Sequence, residues 1–301
     1  MANIVLLFAC LVIGMVLHRV GRLPDNAPAT INGFIIHVSL PALILGSLHG
    51  MDLQPDLLGV AAMPWILFGI GATLFRWLGR LLGLSRPTTG ALIMLGGLGN
   101  TSFIGLPMIE SYYGTRYLPT GILIDQFGTY LVLSTVGIVV ACLYSDAVTS
   151  RREIAWRIAR FPPLLATLLA RALMPVSYPD WLEAVLHRLG GTLAPLALVS
   201  VGLQLRFATL RGNGTALAMG LAYKLALGPL LLAVLYAGVL GHAGETLQVT
   251  LFEAAMAPQI GASIVAIQHG LNPPLVTLMV GIGTLLSFVT LPVWWTLLGA
   301  L

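Results

Sequence analysis

The chain has 301 residues, of which 57% are hydrophobic and 9% charged. A soluble globular domain carries about 25% charged residues, so this composition excludes an ordinary soluble enzyme or binding module and implies a polytopic membrane protein. The formal charge of +4 does not point to nucleic acid, because the arginines stand between apolar runs, where they serve as a topology signal.

At about 20 residues per span, the length accommodates ten helices. Apolar runs bounded by polar punctuation predict them at 2–20, 28–49, 56–83, 88–113, 117–145, 157–174, 180–206, 213–241, 245–269 and 273–300. The first run begins at Ile4 without a basic leader or small-residue cleavage site and reads as a retained helix. The second carries Asn32, His37 and Ser39, which face a cavity or a neighbouring helix. The fourth contains Gly96-Gly97-Leu98-Gly99-Asn100-Thr101-Ser102-Phe103-Ile104-Gly105-Leu106-Pro107, polar and glycine-rich where a lipid-exposed helix would be uniformly apolar. Backbone broken at membrane depth survives only where it lines a polar cavity or is buried in protein. The fifth span holds Asp125 and Gln126, the eighth Lys224, and the ninth Glu253 followed by Met256-Ala257-Pro258-Gln259. In the tenth, Gly281-Ile282-Gly283 suits close helix packing, and Trp294 and Trp295 suit an interfacial belt. Cys10 and Cys142 lie inside apolar runs and read as core fillers.

The arginines set an orientation. Odd-numbered loops carry Arg19, Arg22, Arg76, Arg80, Arg86, Arg151, Arg152, Arg157, Arg160, Arg206 and Arg211, whereas even loops carry Arg116, Arg171 and Arg188. Basic loops stay cytoplasmic, which places both termini outside. A weak repeat runs through the chain. Ile104-Gly105 through Gly114 aligns with Ile260-Gly261 through Gly270, and Leu40-Pro41-Ala42-Leu43 parallels Ala194-Pro195-Leu196-Ala197. The expected fold is therefore an all-α integral membrane protein of two inverted five-helix repeats, 1–145 and 161–301, joined by a cytoplasmic linker at 146–160. Broken helices four and nine would cross near the midplane, where such carriers bind substrate.

Proline lacks an N–H and releases backbone carbonyls, so Pro107 and Pro258 are the predicted helix breaks. Each break exposes a half-helix N-terminus that attracts anions. Asn100, Thr101, Ser102, Gln259 and Ser263 add neutral hydrogen bonds, giving a substrate-binding set that includes both prolines. Ionisable residues inside spans usually line a cavity or pair. Glu110, Asp125, Lys224 and Glu253 are accordingly the candidates for ion or proton coupling, and the neutral amide of Gln126 next to Asp125 joins them as a candidate ion ligand. Glu110 lies either within a turn of the break or near the outer surface. Lys224 either pairs with Glu253 or Asp125 or complements an anionic substrate. No nucleotide-binding loop, His/Cys metal cluster or nucleophile–base arrangement is visible, so neither an enzyme nor an organic cofactor is expected.

The segment Asn100-Thr101-Ser102-Phe103-Ile104-Gly105-Leu106-Pro107 resembles the fourth-helix crossover motif of the auxin efflux carrier family, and Val38-Ser39-Leu40-Pro41-Ala42-Leu43 also fits. The resemblance implies a scaffold of helices 1, 2, 6 and 7, the expected surface for a homodimer, and a transport domain of helices 3–5 and 8–10 that moves as an elevator. It implies that Asn100 contacts substrate carboxylate and that Pro258 is the ninth-helix crossover proline. A carrier of auxin-like weak acids or mono- and dicarboxylates in the cell's inner membrane follows, with efflux the expected direction. The more distant sodium–bile acid symporters supply the alternative, a sodium-coupled importer. In it Glu253, Gln259 and Gln126 would offer oxygens to sodium.

Overall fold

The computed structural model describes all residues except 1, 25, 49–56, 146–151, 153–155, 157, 158, 161, 174, 175 and 205–211. Among the described residues the chain is helical and has no strand. Among the described residues, six helices are long and apolar enough to cross a membrane: Ala27–Ser47, Leu58–Leu81, Thr115–Tyr144, Asp180–Leu203, Gly214–Val239 and Pro273–Leu298. The linker expected at 146–160 lies largely outside the described residues, as do Arg151, Arg157, Arg206 and Arg211. Side chains such as Val12, Val16, Leu169, Val289 and Val293 stand exposed. That is the outward apolar surface a lipid-embedded protein needs.

Two compact units make up the chain, one comprising Met1–Pro55, Ser102–Ile122 and Trp156–Leu205, the other Asp56–Thr101, Leu123–Ala155 and Arg206–Leu301. In the first, Ile35, Leu40, Ile44, Leu106, Leu118, Ile122 and Leu193 form a buried core. Its tightest contact is between Ala2–Val20 and Leu193–Gln204. A Cβ on Gly14 would lie 2.2 Å from the Val199 carbonyl, and one on Gly202 would lie 2.3 Å from that of Leu11. Only glycine lets two helix backbones approach this closely. Ser39 and Thr192 share a hydrogen bond of 2.7 Å, and Ser200 donates to Asn32 at 2.6 Å. Asn32 and Ser39 of the second predicted span thus serve helix–helix packing within this unit, whereas His37 is exposed and its ring bonds the Gly33 carbonyl of its own helix at 2.8 Å.

In the second unit, Tyr223 donates its hydroxyl to the Leu67 carbonyl at 2.6 Å. The Trp65 indole donates to the Phe127 carbonyl at 3.0 Å, and Trp294 to that of Leu225 at 2.7 Å. Trp294, expected in an interfacial belt, is instead half-buried against a neighbouring helix. Asn272 gathers three helix starts. Its backbone is left-handed, with φ 44°, and its side chain accepts from the Leu275 N–H of its own helix. Its amide also donates to Thr88 and Asn213 at 2.9 and 3.0 Å. Asparagine tolerates this backbone because its short amide hydrogen-bonds locally.

The breaks in the chain fall at two places. One helix ends at Gly97, and a π-helical turn over Thr101–Gly105 leads into Leu106–Tyr112. The other pair is Glu245–Ala254 and Ile260–Gln268. Pro258 lies in its break, as expected. Pro107 does not: the fourth-span break is at Leu98–Asn100, and Pro107 sits in the first turn of the following helix. Proline is tolerated there because it follows the π-helical turn over Thr101–Gly105, where the regular i→i−4 ladder is already interrupted. The fourth-span interruption is made by glycines. A Cβ on Gly96 would lie 2.5 Å from the Phe75 ring and one on Gly97 2.7 Å from that of Phe68, so these glycines admit aromatic rings against the backbone.

Candidate functional site

The two interruptions meet within the second unit. Gly99 lies opposite Pro258 in a single antiparallel bridge. Asn100 donates its backbone N–H to the Ala257 carbonyl at 2.8 Å, and Gln259 donates its own to the Leu98 carbonyl at 3.1 Å. Each break would otherwise leave polar backbone groups buried and unpaired, at a cost of about 1–3 kcal/mol each. Here the two breaks satisfy one another. Pro258, with no N–H to give, occupies a position of the bridge that does not need one, since Asn100 and Gln259 make both donations. Gly283, from Pro273–Leu298, makes the space behind it: a Cβ there would stand 2.7 Å from the Pro258 ring.

Around this bridge the chain buries a polar cluster. Asn100 and Thr101 are each 1% exposed, Asp125 is 2% exposed, and Gln126, Lys224 and Glu253 are wholly buried. Thr101 donates its hydroxyl to one Asp125 oxygen at 2.5 Å, and the Gln126 amide donates to the other at 2.7 Å. Lys224 donates its ammonium to the Ala254 carbonyl at 2.6 Å. No hydrogen-bonded pair joins Lys224 to Glu253, because neither oxygen of Glu253 has a hydrogen-bond partner. The side-chain carbonyls of Gln126 and Gln259 and the hydroxyls of Thr129 and Thr284 are likewise buried and unpartnered. The Ser263 hydroxyl turns back to the Ile260 carbonyl at 2.7 Å within its own helix.

Nine of the twelve predicted residues fall in this unit: Asn100, Thr101, Asp125, Gln126, Lys224, Glu253, Pro258, Gln259 and Ser263. Ser102, Pro107 and Glu110 belong to the other unit. There Pro107 and Glu110 line a cavity of about 1070 Å³ together with Arg116, Tyr178, His187 and Arg188. Sequence reading did not single out Thr129 or Thr284, nor His187 and Arg188 as cavity residues, and it named Gly99 and Gly283 only within the broken segment and a packing motif. Gly283 had a signal, since its small-residue pattern marked close packing, but nothing in the sequence identified the Pro258 ring as what packs on it.

A family model described as "membrane transport protein" matches residues 1–150 and 145–295. An uncharacterized transporter of Methanothermobacter thermautotrophicus is 30% identical over 285 residues, covering 94% of this chain and 93% of its own. An uncharacterized transporter of Methanocaldococcus jannaschii is 23% identical over 194 residues, or 62% of each chain.

Proposed function

This chain belongs to the membrane transport protein family, that of the auxin efflux carriers, and from that membership we propose that it is a secondary carrier of small organic anions. The crossover of Leu98–Asn100 with Ala257–Gln259 is the observation that carries the reading. Irregular backbone at membrane depth has a purpose where half-helix ends and neutral amides hold a substrate. Asn100 is the residue we assign to the substrate carboxylate, with Thr101 and Gln259 beside it. The substrates we favour are auxin-like weak acids and mono- or dicarboxylates. We read the molecule as a carrier and not an enzyme.

The proposed frame is ten membrane helices in two inverted repeats, with scaffold helices 1, 2, 6 and 7 and a transport domain of helices 3–5 and 8–10 that moves as an elevator. The two compact units support a two-body reading, with the fourth and fifth spans contributing to both. We place the carrier in the inner membrane with both termini outside, from its arginine distribution, and propose efflux. Expelling a monoanion from a negative-inside cell gains about 2.3 kcal/mol per 100 mV, so this direction needs no coupling ion.

A second reading, a sodium-coupled importer, draws on the unpartnered oxygens of Glu253, Gln126 and Gln259. Substrate binding that requires sodium would favour it. The carrier reading is tested by a thermal-shift screen of mono- and dicarboxylic acids on purified protein. At least one acid should raise the melting temperature, and Asn100→Ala should abolish that shift while the protein stays monodisperse. An acid that stabilises the Asn100→Ala protein equally would contradict the site.

A further inference from the structure

The lysine is the unusual member of the crossover cluster. Lys224 is the one lysine of the chain, it is wholly buried, and it sits mid-helix in Gly214–Val239. Its ammonium is held at a defined place. In an unbroken helix the Ala254 carbonyl would accept the N–H of residue 258. Residue 258 is proline and has none, so the carbonyl is freed. Lys224 supplies the missing donor at 2.6 Å. The ammonium also lies 3.2 Å from where a Cβ on Gly99 would stand, so the glycine of the fourth-span break makes room for it.

The surroundings are those of a cation site. Glu245–Ala254 ends here, and the C-terminus of a helix carries about half a negative charge. Carriers built on broken helices coordinate their coupling cation with such half-helix C-terminal ends and unwound carbonyls. Glu253, buried with both oxygens unpartnered, adds a carboxylate. Asp125 is a second carboxylate acting on Glu253, and Lys224 is the positive charge that opposes it.

We propose that the Lys224 ammonium is a tethered cation that fills the ion position of the crossover, so that this chain holds its anion without sodium or another coupling metal ion. A lysine side chain cannot leave the site as a metal ion can, so the same group stands in the ion position beside Asn100 in every turnover. The consequence for transport rests on the carrier reading above; the occupancy of the ion position does not.

The test compares purified wild type and Lys224→Ala in sodium chloride and in an equal concentration of N-methyl-D-glucamine chloride, whose cation is too large to enter. Wild type should melt at the same temperature in both. Lys224→Ala should melt lower and regain about 3 °C or more with sodium or ethylammonium. Lys224→Ala combined with Glu253→Gln should lose that gain. A lysine that merely props up the helix end would leave a folded Lys224→Ala protein indifferent to every cation, and that result overturns the proposal. If the variant does not accumulate, saturable binding of radioactive sodium by wild type decides the matter. Its absence supports the tethered cation and its presence refutes it. Either result leaves the organic-acid screen free to stand or fall by itself.

Discussion

Asp125 shows how a single charge is kept inside an apolar bundle. Its two oxygens take hydrogen bonds from Thr101 and from the Gln126 amide, and hydrogen bonds to charged groups are worth about 1.5–3 kcal/mol. Thr101→Val keeps the shape of the side chain and deletes its donor, so it should lower stability by about 1–3 kcal/mol in a denaturation series. Thr101→Ser should restore most of the loss, and a Thr101→Val protein as stable as wild type would remove Thr101 from the network. The sequence marked Asp125 as buried and chargeable by its depth in a span. It could not mark Thr101 as its partner, because 24 residues and a helix break separate them. Lys224 repeats the lesson. Charge pairing suggested Glu253 or Asp125 as its partner, and while Glu253 acts on it through space, its hydrogen bond goes to a carbonyl that Pro258 left without a donor.

At the scale of elements, each break is repaired by the other, and Pro273–Leu298 closes over the repair. Gly283→Ala would push a methyl group to 2.7 Å from the Pro258 ring and 2.9 Å from Leu221. Neither a proline ring nor a buried leucine can simply swing aside. Overpacking of this kind costs about 1–3 kcal/mol. We expect a lower melting temperature and weakened binding of any acid found in the screen, whereas Gly299→Ala at the end of the same helix, where a Cβ would meet nothing closer than 3.5 Å, serves as the control. Equal effects of the two would show that Gly283 has no special relation to the crossover. Much of the helix pattern was legible, since long apolar runs and their polar stops determine where a span can lie. The fourth-span break was visible as a segment but misplaced within it. Proline was read as the breaker, while the chain breaks where Gly96, Gly97 and Gly99 let aromatic rings and a lysine press against the backbone. Such close approaches belong to tertiary packing and have no local signature.

For the whole molecule, the account is a carrier whose moving charge is that of its substrate. If Lys224 replaces a coupling ion, export of a monoanion from proteoliposomes should accelerate when a potassium gradient with valinomycin makes the interior negative, and it should not change when sodium replaces N-methyl-D-glucamine on either side. Export that ignores the potential and follows sodium would favour the coupled importer. The position of Asn100, 1% exposed beside the backbone bridge, ties this behaviour to the crossover. The most direct measurement is therefore uptake of the stabilising acid into proteoliposomes preloaded with the same acid, for wild type and for Asn100→Ala reconstituted at equal density. The account predicts robust exchange by wild type without sodium and exchange at the level of empty liposomes for Asn100→Ala. Exchange by Asn100→Ala at the wild-type rate and affinity would contradict it.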